Sequence, residues 1–376
     1  MTSLPAVAGS VGENQRSEER APFTVAESVA AQAPRVRDGR FYADSLDEYR
    51  KALANAAKSG EEPWLVLSGG GENGAYGAGL LNGWTAAGNR PRFSVVSGIS
   101  TGALIAPLAF AGPKFDRALE EAYTGITAAD IFEFGGTGQS LVDTWPLQKL
   151  IERFVNADLL KAVAAEHKAG RRLFVVTTNV DVQRPVAWNM GAIAAEGSPD
   201  SLKLFRNILM ASSAIPGIFP PVELEVEAGG KRFKEMHADG GITAPFFVAP
   251  EAVIAGRAGA TSLTSQPIYV VVNNQLNPEF QVTERTMLSI LGRSMSMAVK
   301  AASRAAMAVH ASFAQRSGHQ MAFTHIDERF KQMTTKPFDP DYMKALFEHG
   351  RRVGQDGTAF RANPFETPSL KTAERR

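Results

Sequence analysis

An α/β protein built on a mostly parallel sheet is what this sequence predicts, and three observations carry the prediction. Short apolar runs, WLVLS at Trp64 to Ser68 and FSVVSG at Phe93 to Gly98, read as buried strands. Each is followed by a helical pattern of small residues, so strand, helix, strand and helix alternate. Both junctions are rich in glycine, as tight strand-to-helix turns require.

The elements follow in order. Residues 1–45 lack a sustained apolar period and read as a flexible N-terminal arm outside the site. A helix is expected from Glu48 to Ala57, then the first strand, a helix from Gly74 to Ala87, the second strand, and a helix from Thr101 to Ala111. Phe115 to Tyr123, Pro146 to Val155 and Leu159 to Lys168 have helical spacing, ahead of the strand RRLFVVTTNVD at Arg171 to Asp181. Leu202 to Ser213 is a further helix, and VELEVE at Val222 to Glu227 alternates like a half-exposed strand. RFKEMHADGG runs as a strand into glycines, and PIYVVVNN at Pro267 to Asn274 is another core strand. Thr283 to about Gln315 repeats apolar residues at helical spacing, as one long helix or two broken near Gly292, with its methionines assigned to core packing in preference to lipid contact.

Composition narrows the function. The 376 residues are 44% hydrophobic, enough to bury a sizeable core, and 40 basic against 39 acidic residues leave no field to attract nucleic acid. The absence of cysteine excludes disulfides, thiolate metal sites and a cysteine nucleophile. No paired-histidine ligand pattern appears, so neither a metal nor an organic cofactor is implied. The uncharged run from Phe93 to Pro113 contains glycines and two prolines and reads as strand, turn and helix, so no transmembrane segment is expected. The N-terminus makes a poor secretory signal, which leaves a cytoplasmic chain as the expectation unless the true start lies upstream.

GGGENG fits G-x-G-x-x-G at Gly69, Gly71 and Gly74, between a strand and a helix, where a dinucleotide fingerprint would lie. That fingerprint also needs an acid about 20 residues on for the ribose. No Asp or Glu occurs between Glu72 and Asp116, which leaves an NADP-dependent oxidoreductase using Arg90 or Arg92 as the rival reading. The second strand instead ends in SGISTG, a G-x-S-x-G at Gly98, Ser100 and Gly102 with the strand and helix that a nucleophile elbow requires. The plainer alternative is that Ser100 only caps the helix. A serine attacking an ester needs backbone N–H groups aimed at the developing oxyanion, and the exposed backbone of Gly69, Gly70 and Gly71 can supply them.

Two designs compete for the base. A Ser-Asp-His order would draw on His310, His319, His325 or His349, none of them in a glycine-rich strand-end loop. HADGG places Asp239 after a strand and before Gly240 and Gly241, where it can face the elbow, although Asp-Gly-Gly is also a common turn.

SGGGENG, GISTG and DGG in this order resemble the patatin-like phospholipase family. LFVVTTNVDVQRPVAWNMG, ASSAIPGIFPPV and IYVVVNN look like that family too, so the resemblance spans about Trp64 to Asn274. It implies a three-layer fold with a central, mostly parallel sheet flanked by helices, a catalytic domain over residues 60–275 and a helical C-terminal extension over 276–376. It also implies Ser100 as nucleophile, Asp239 as base, the oxyanion hole at Gly69, Gly70 and Gly71, and motif glycines at Gly74, Gly98, Gly102, Gly240 and Gly241. The expected activity is hydrolysis of lipid-type carboxylic esters, with a lipid or ester partner and peripheral membrane contact, against a non-catalytic lipid-binding protein of the same fold as a further alternative. The loop departs from many relatives in having Ser68 before the glycines and Asn73 where a cation is common, which leaves a phosphate headgroup without a cation there and with only the hydrogen bonds that Asn73 can donate.

Overall fold

The computed structural model describes residues 20–54, 56, 62–135, 140–257, 263–278, 280 and 282–365. They form α1 (Val25–Ala30), β1 (Arg40–Tyr42), α2 (Leu46–Ala54), β2 (Trp64–Leu67), α3 (Gly74–Ala86), β3 (Val95–Gly98), α4 (Thr101–Ala111) and α5 (Asp116–Thr124). A small antiparallel pair, β4 (Glu133–Phe134) and β5 (Val142–Asp143), precedes α6 (Trp145–Phe154), α7 (Ala157–Lys168), β6 (Arg172–Asn179), β7 (Arg184–Asn189), α8 (Met190–Glu196) and α9 (Pro199–Ser212). The hairpin of β8 (Val222–Ala228) and β9 (Lys231–Asp239) is followed by α10 (Glu251–Ile254), β10 (Ile268–Gln275), α11 (Met287–Ser317), β11 (Met321–Ile326) and α12 (Pro340–Gln355).

The main sheet runs β1-β7-β6-β3-β2-β10-β11, parallel from β6 to β11 and antiparallel from β6 out to β1. Its central strands are buried on both faces. Leu65, Leu67, Val96, Leu173, Val175 and Val271 point into one core, under the helices from α3 to α9 and α12. Trp64, Val66, Val95, Phe174, Val176, Val270 and Val272 point into the other, which also contains residues of α10 and α11. A parallel sheet covered on both sides needs such continuous apolar strands, which is why the sequence runs apolar instead of alternating.

Strand β6 is the ruler that positions the site. Along one edge its first half pairs with β3, ending at Val175 opposite Gly98. The chain then leaves the sheet, and the vacated edge of β6 is taken by β9 running antiparallel, with Asp239 opposite Thr177. Two residues along β6, roughly 7 Å, therefore separate the level at which β3 ends from the level at which β9 ends.

Several expectations need correction. Residues 20–45 are not a loose arm: β1 pairs with β7, and Arg40 is buried against Glu235 of β9. Residues 276–376 are not only helical, because β11 extends the sheet in parallel beside β10, and the sheet therefore does not end at residue 275. The long helix passes through Gly292 unbroken, and Met287, Ile290 and Met297 on it are exposed while Met307 is buried, so core packing does not account for all its methionines. The expected end of the helix from Glu48 falls at residues 55 and 57, outside the described residues. Among the described residues, no helix is long and apolar enough to cross a membrane.

The C-terminal helix α12 lies backbone to backbone on α3. A Cβ at Gly79 would stand 2.0 Å from the Phe347 carbonyl oxygen, and one at Gly83 2.0 Å from that of Arg351. Reciprocally, Gly350 and Gly354 of α12 approach the carbonyls of Tyr76 and Leu80. Both helices carry glycines four apart, so each gives the other a groove without side chains.

Candidate active site

Ser100 sits at the turn from β3 into α4 with φ of 55° and ψ of −126°, a conformation that a side chain adopts only under strain. The turn is held from outside: the Ser100 N–H donates to Ser212 Oγ at 3.0 Å, and Ser212 Oγ donates to the Val176 carbonyl at 2.7 Å. Its own hydroxyl makes no capping bond to α4, so the plainer reading of Ser100 as a helix cap does not hold. Gly98 and Gly102 let the elements close on one another, a Cβ on Gly102 reaching to 2.4 Å of the Leu67 carbonyl. Gly74, at the start of α3, leaves room for Thr101 and Tyr123 in the same way.

The triple glycine passes directly beside the serine, with a Cβ at Gly69 falling 3.1 Å from Ser100 Cβ. Strand β10 fixes the loop. Asn273 donates from its N–H to Ser68 Oγ and from its amide to the Ser68 carbonyl, and Asn274 donates to the Gly69 carbonyl. The Asn273 carbonyl fills the space beside Gly70, and Asn73 accepts from the Tyr342 hydroxyl of α12. Gly69 does not suit the donor role expected of it, since its N–H is already given to the Pro245 carbonyl at 3.2 Å. The N–H groups of Gly70, Gly71 and Thr101 make no hydrogen bond among the described residues. Thr101 opens α4, whose first N–H groups have no acceptor within the helix.

Asp239 closes β9 and is buried. Its Oδ1 accepts from the Gly241 N–H at 2.7 Å, its N–H donates to the Ala214 carbonyl, and its carbonyl accepts from the Thr178 hydroxyl. Burial pushes the carboxyl up to about 6, against the nearby Ser100 hydroxyl and the hydrogen-bonded Gly241 N–H, which pull it down. Gly240 allows the strand end to meet the Val176 carbonyl. The late histidines lie elsewhere: His310 Nδ1 donates to the Ala306 carbonyl within α11 beside Phe246, His319 stacks on Phe313, His325 faces Pro364, and His349 is 3.7 Å from Asp327.

A cavity of about 90 Å³ opens from Ser100, Thr101 and Gly71 and continues between Leu104, Leu108, Ile126, Leu147, Ile151 and Phe154. No charged side chain lines it among the described residues. Ser213 also lines it, buried, with its hydroxyl lacking a hydrogen-bond partner in the structure. An ester placed here would meet the Ser100 hydroxyl, free N–H groups and an apolar space for a hydrocarbon chain.

Residues 65–250 match the family model described as Patatin-like phospholipase. Those residues form a patatin-like phospholipase domain. That family is in general one of lipid acyl hydrolases, and a lipid substrate fits this patatin-like domain. Among solved structures, the protein is similar to VipD from Legionella pneumophila, at 14% identity and a TM-score of 0.40, over 79% of this chain and 67% of that one. No curated protein sequence matches it. Sequence reasoning passed over three residues that hold the patatin-like site together, Asn273, Asn274 and Ser212, and over the Ser213 hydroxyl in the cavity wall. The pair of asparagines was the available signal, being two amides at the end of an otherwise apolar strand, where a buried amide needs partners.

Proposed function

We propose that the protein hydrolyses lipid-type carboxylic esters, as a phospholipase A or lipid acyl hydrolase, through a Ser100–Asp239 dyad. The observation that carries this reading is the Ser100 hydroxyl, on a strained turn at the head of an uncharged, apolar cavity, with the buried Asp239 carboxylate close enough to feel it. Ser100 Oγ attacks the ester carbonyl while its proton passes to Asp239, and the oxyanion is received by the N–H groups of Gly70, Gly71 and Thr101. Asp239 returns the proton to the departing alkoxide, leaving an acyl-serine, and then takes a proton from the water that releases the acid. The unpartnered Ser213 hydroxyl is available to hydrogen-bond an ester oxygen in the same cavity. Exposed Met287, Ile290 and Met297 on α11 suit peripheral contact with a lipid surface.

Labelling with a fluorophosphonate probe tests the reading. The native protein should label at Ser100 and Ser100→Ala should not, while short-chain p-nitrophenyl ester hydrolysis falls by several orders of magnitude. A folded Ser100→Ala variant that keeps a tenth of the activity places the nucleophile elsewhere. A non-catalytic lipid-binding protein of the same fold would show no labelling, and an NADP-dependent enzyme would bind the nucleotide.

A further inference from the structure

The segment from Ser213 to Pro221 is a partition with two faces. Ser213, Ile215 and Phe219 line the cavity that begins at Ser100. Ala214, Pro216, Gly217, Phe219 and Pro221 line a second, wider groove of about 610 Å³ on its other side. Phe219 is common to both, and the Ala214 carbonyl that faces the groove's wall accepts from the Asp239 N–H at 2.8 Å. The remaining wall holds Ala238, Ile242, Thr243 and Thr178, near the carboxylate in sequence or by hydrogen bond, together with Val180, Gln183 and Met236.

The chemistry of the groove is apolar. No charged side chain lines it among the described residues. Its two threonines turn their hydroxyls inward, Thr178 to the Asp239 carbonyl at 2.9 Å and Thr243 to the Gly240 carbonyl at 3.1 Å, leaving their methyl groups as surface. Val180 and Ile242 stand 42% and 52% exposed at its border, and Leu291 of α11 lies 3.9 Å from the position of a Cβ on Gly217. Phosphate or carboxylate would find no cation here, and a sugar would find few donors. A hydrocarbon chain would remove exposed apolar surface from water, and Gln183, itself exposed, is the one amide in the lining that has to stay turned to solvent.

We propose that this groove holds the second hydrocarbon chain of a two-chain ester lipid whose scissile acyl chain occupies the cavity of Ser100, with Phe219 dividing the two. The proposal rests on the hydrolase reading above for which chain is cut, and on the groove alone for where the other chain lies. It makes the protein selective for two-chain over one-chain substrates, since a single chain can fill only one side of the partition.

The test compares kcat/KM for 1,2-dioctanoylglycerol and 1-octanoylglycerol in the native protein, Val180→Trp and Ile242→Trp. Both substitutions add an indole from an exposed position, so the fold is spared. The native preference for the two-chain substrate should fall at least tenfold in each variant. In parallel, binding of the uncleavable two-chain ether 1,2-dioctylglycerol to Ser100→Ala should weaken at least tenfold when Val180→Trp is added. An unchanged substrate ratio, or an ether bound equally well with and without the indole, overturns the subsite. A native protein that fails to cleave either ester but binds the ether in a Val180-dependent way overturns the hydrolase reading and leaves the groove standing.

Discussion

Strain and charge at single residues set the site. Ser100 holds a left-handed backbone that glycine adopts freely, so Ser100→Gly should raise the unfolding midpoint, by about 1 kcal/mol, while abolishing ester hydrolysis. A destabilised variant in thermal melts would show that the turn is not strained. Asp239 gives a second stability-for-function exchange. Its carboxyl is raised from 3.8 to about 6 in the folded state, so the folded protein binds a proton that the unfolded chain has released between those values. Stability is therefore lost as pH rises from about 4 to 6, by up to about 3 kcal/mol, and Asp239→Asn should recover part of it at neutral pH while activity collapses. In the native protein kcat/KM should fall as pH drops through about 6, because the base is then protonated. An ordinary histidine titrates near the same value, so the pH profile does not separate dyad from triad. Replacing His310, His319, His325 and His349 by Gln, one at a time, does: each variant should retain substantial turnover.

Helices and loops add constraints of close approach. The crossing of α3 and α12 depends on Gly79, Gly83, Gly350 and Gly354, and Gly79→Leu would drive a side chain into the Phe347 backbone. Overpacking of this kind typically costs ~1–3 kcal/mol or more, so a urea midpoint well below the native one is expected for Gly79→Leu and for Gly350→Leu. Gly292, inside α11 with nothing within 4 Å of a Cβ, is the opposite case, and Gly292→Ala should stabilise by roughly 0.5–1 kcal/mol. The two outcomes having opposite signs would distinguish packing from helix propensity. The same reasoning alters what a substitution in the glycine loop reports. A side chain at Gly70 would stand 2.1 Å from the Asn273 carbonyl, so Gly70→Val would push β10 away instead of merely blocking an N–H group.

Across the molecule, the N-terminal segment is tied to the strand that carries the proposed base. Arg40 pairs with Glu235, which also meets the Ser28 hydroxyl and His237, all of them buried. Burial alone would raise the Glu235 carboxyl, but hydrogen bonds from His237 and Arg40 outweigh it and hold the group down at about 2. That stabilisation is fully present above the ordinary value of 4.5 and is lost as pH falls toward 2. Arg40→Met leaves the carboxylate buried without its cation, a change worth about 3–5 kcal/mol. The double variant Arg40→Met with Glu235→Gln should recover much of the loss in denaturant titrations, and a double-variant loss equal to the sum of the two single-variant losses would show that the pair is not coupled.

What the sequence determined by itself was local: the apolar strands at Trp64, Phe93 and Arg171, the helices after them, and the glycines around Ser100. Each is specified by residues within one element, through burial on two faces or through a turn that tolerates no Cβ. Helix α12 was expected only as part of a helical C-terminal extension, although Asp339 caps it and Pro340 stands in its first turn, a signal that the sequence reading did not use. Strands β7 and β11 were not, because RPVAWN and MAFTHI become strands by pairing with β6 and β10, partners that lie far away or carry no mark of the pairing. That Asp239 faces Ser100 was an expectation from the order of the motifs, but how the two strand ends come together is decided by the tertiary structure. DGG reads as a turn until β9 takes the edge of β6 that β3 leaves free, and the N–H of Gly69 reads as a donor for an oxyanion until the Pro245 carbonyl is found to hold it. A backbone group's partner is set by whichever chain segment fills the neighbouring space, and only the assembled sheet decides which one that is.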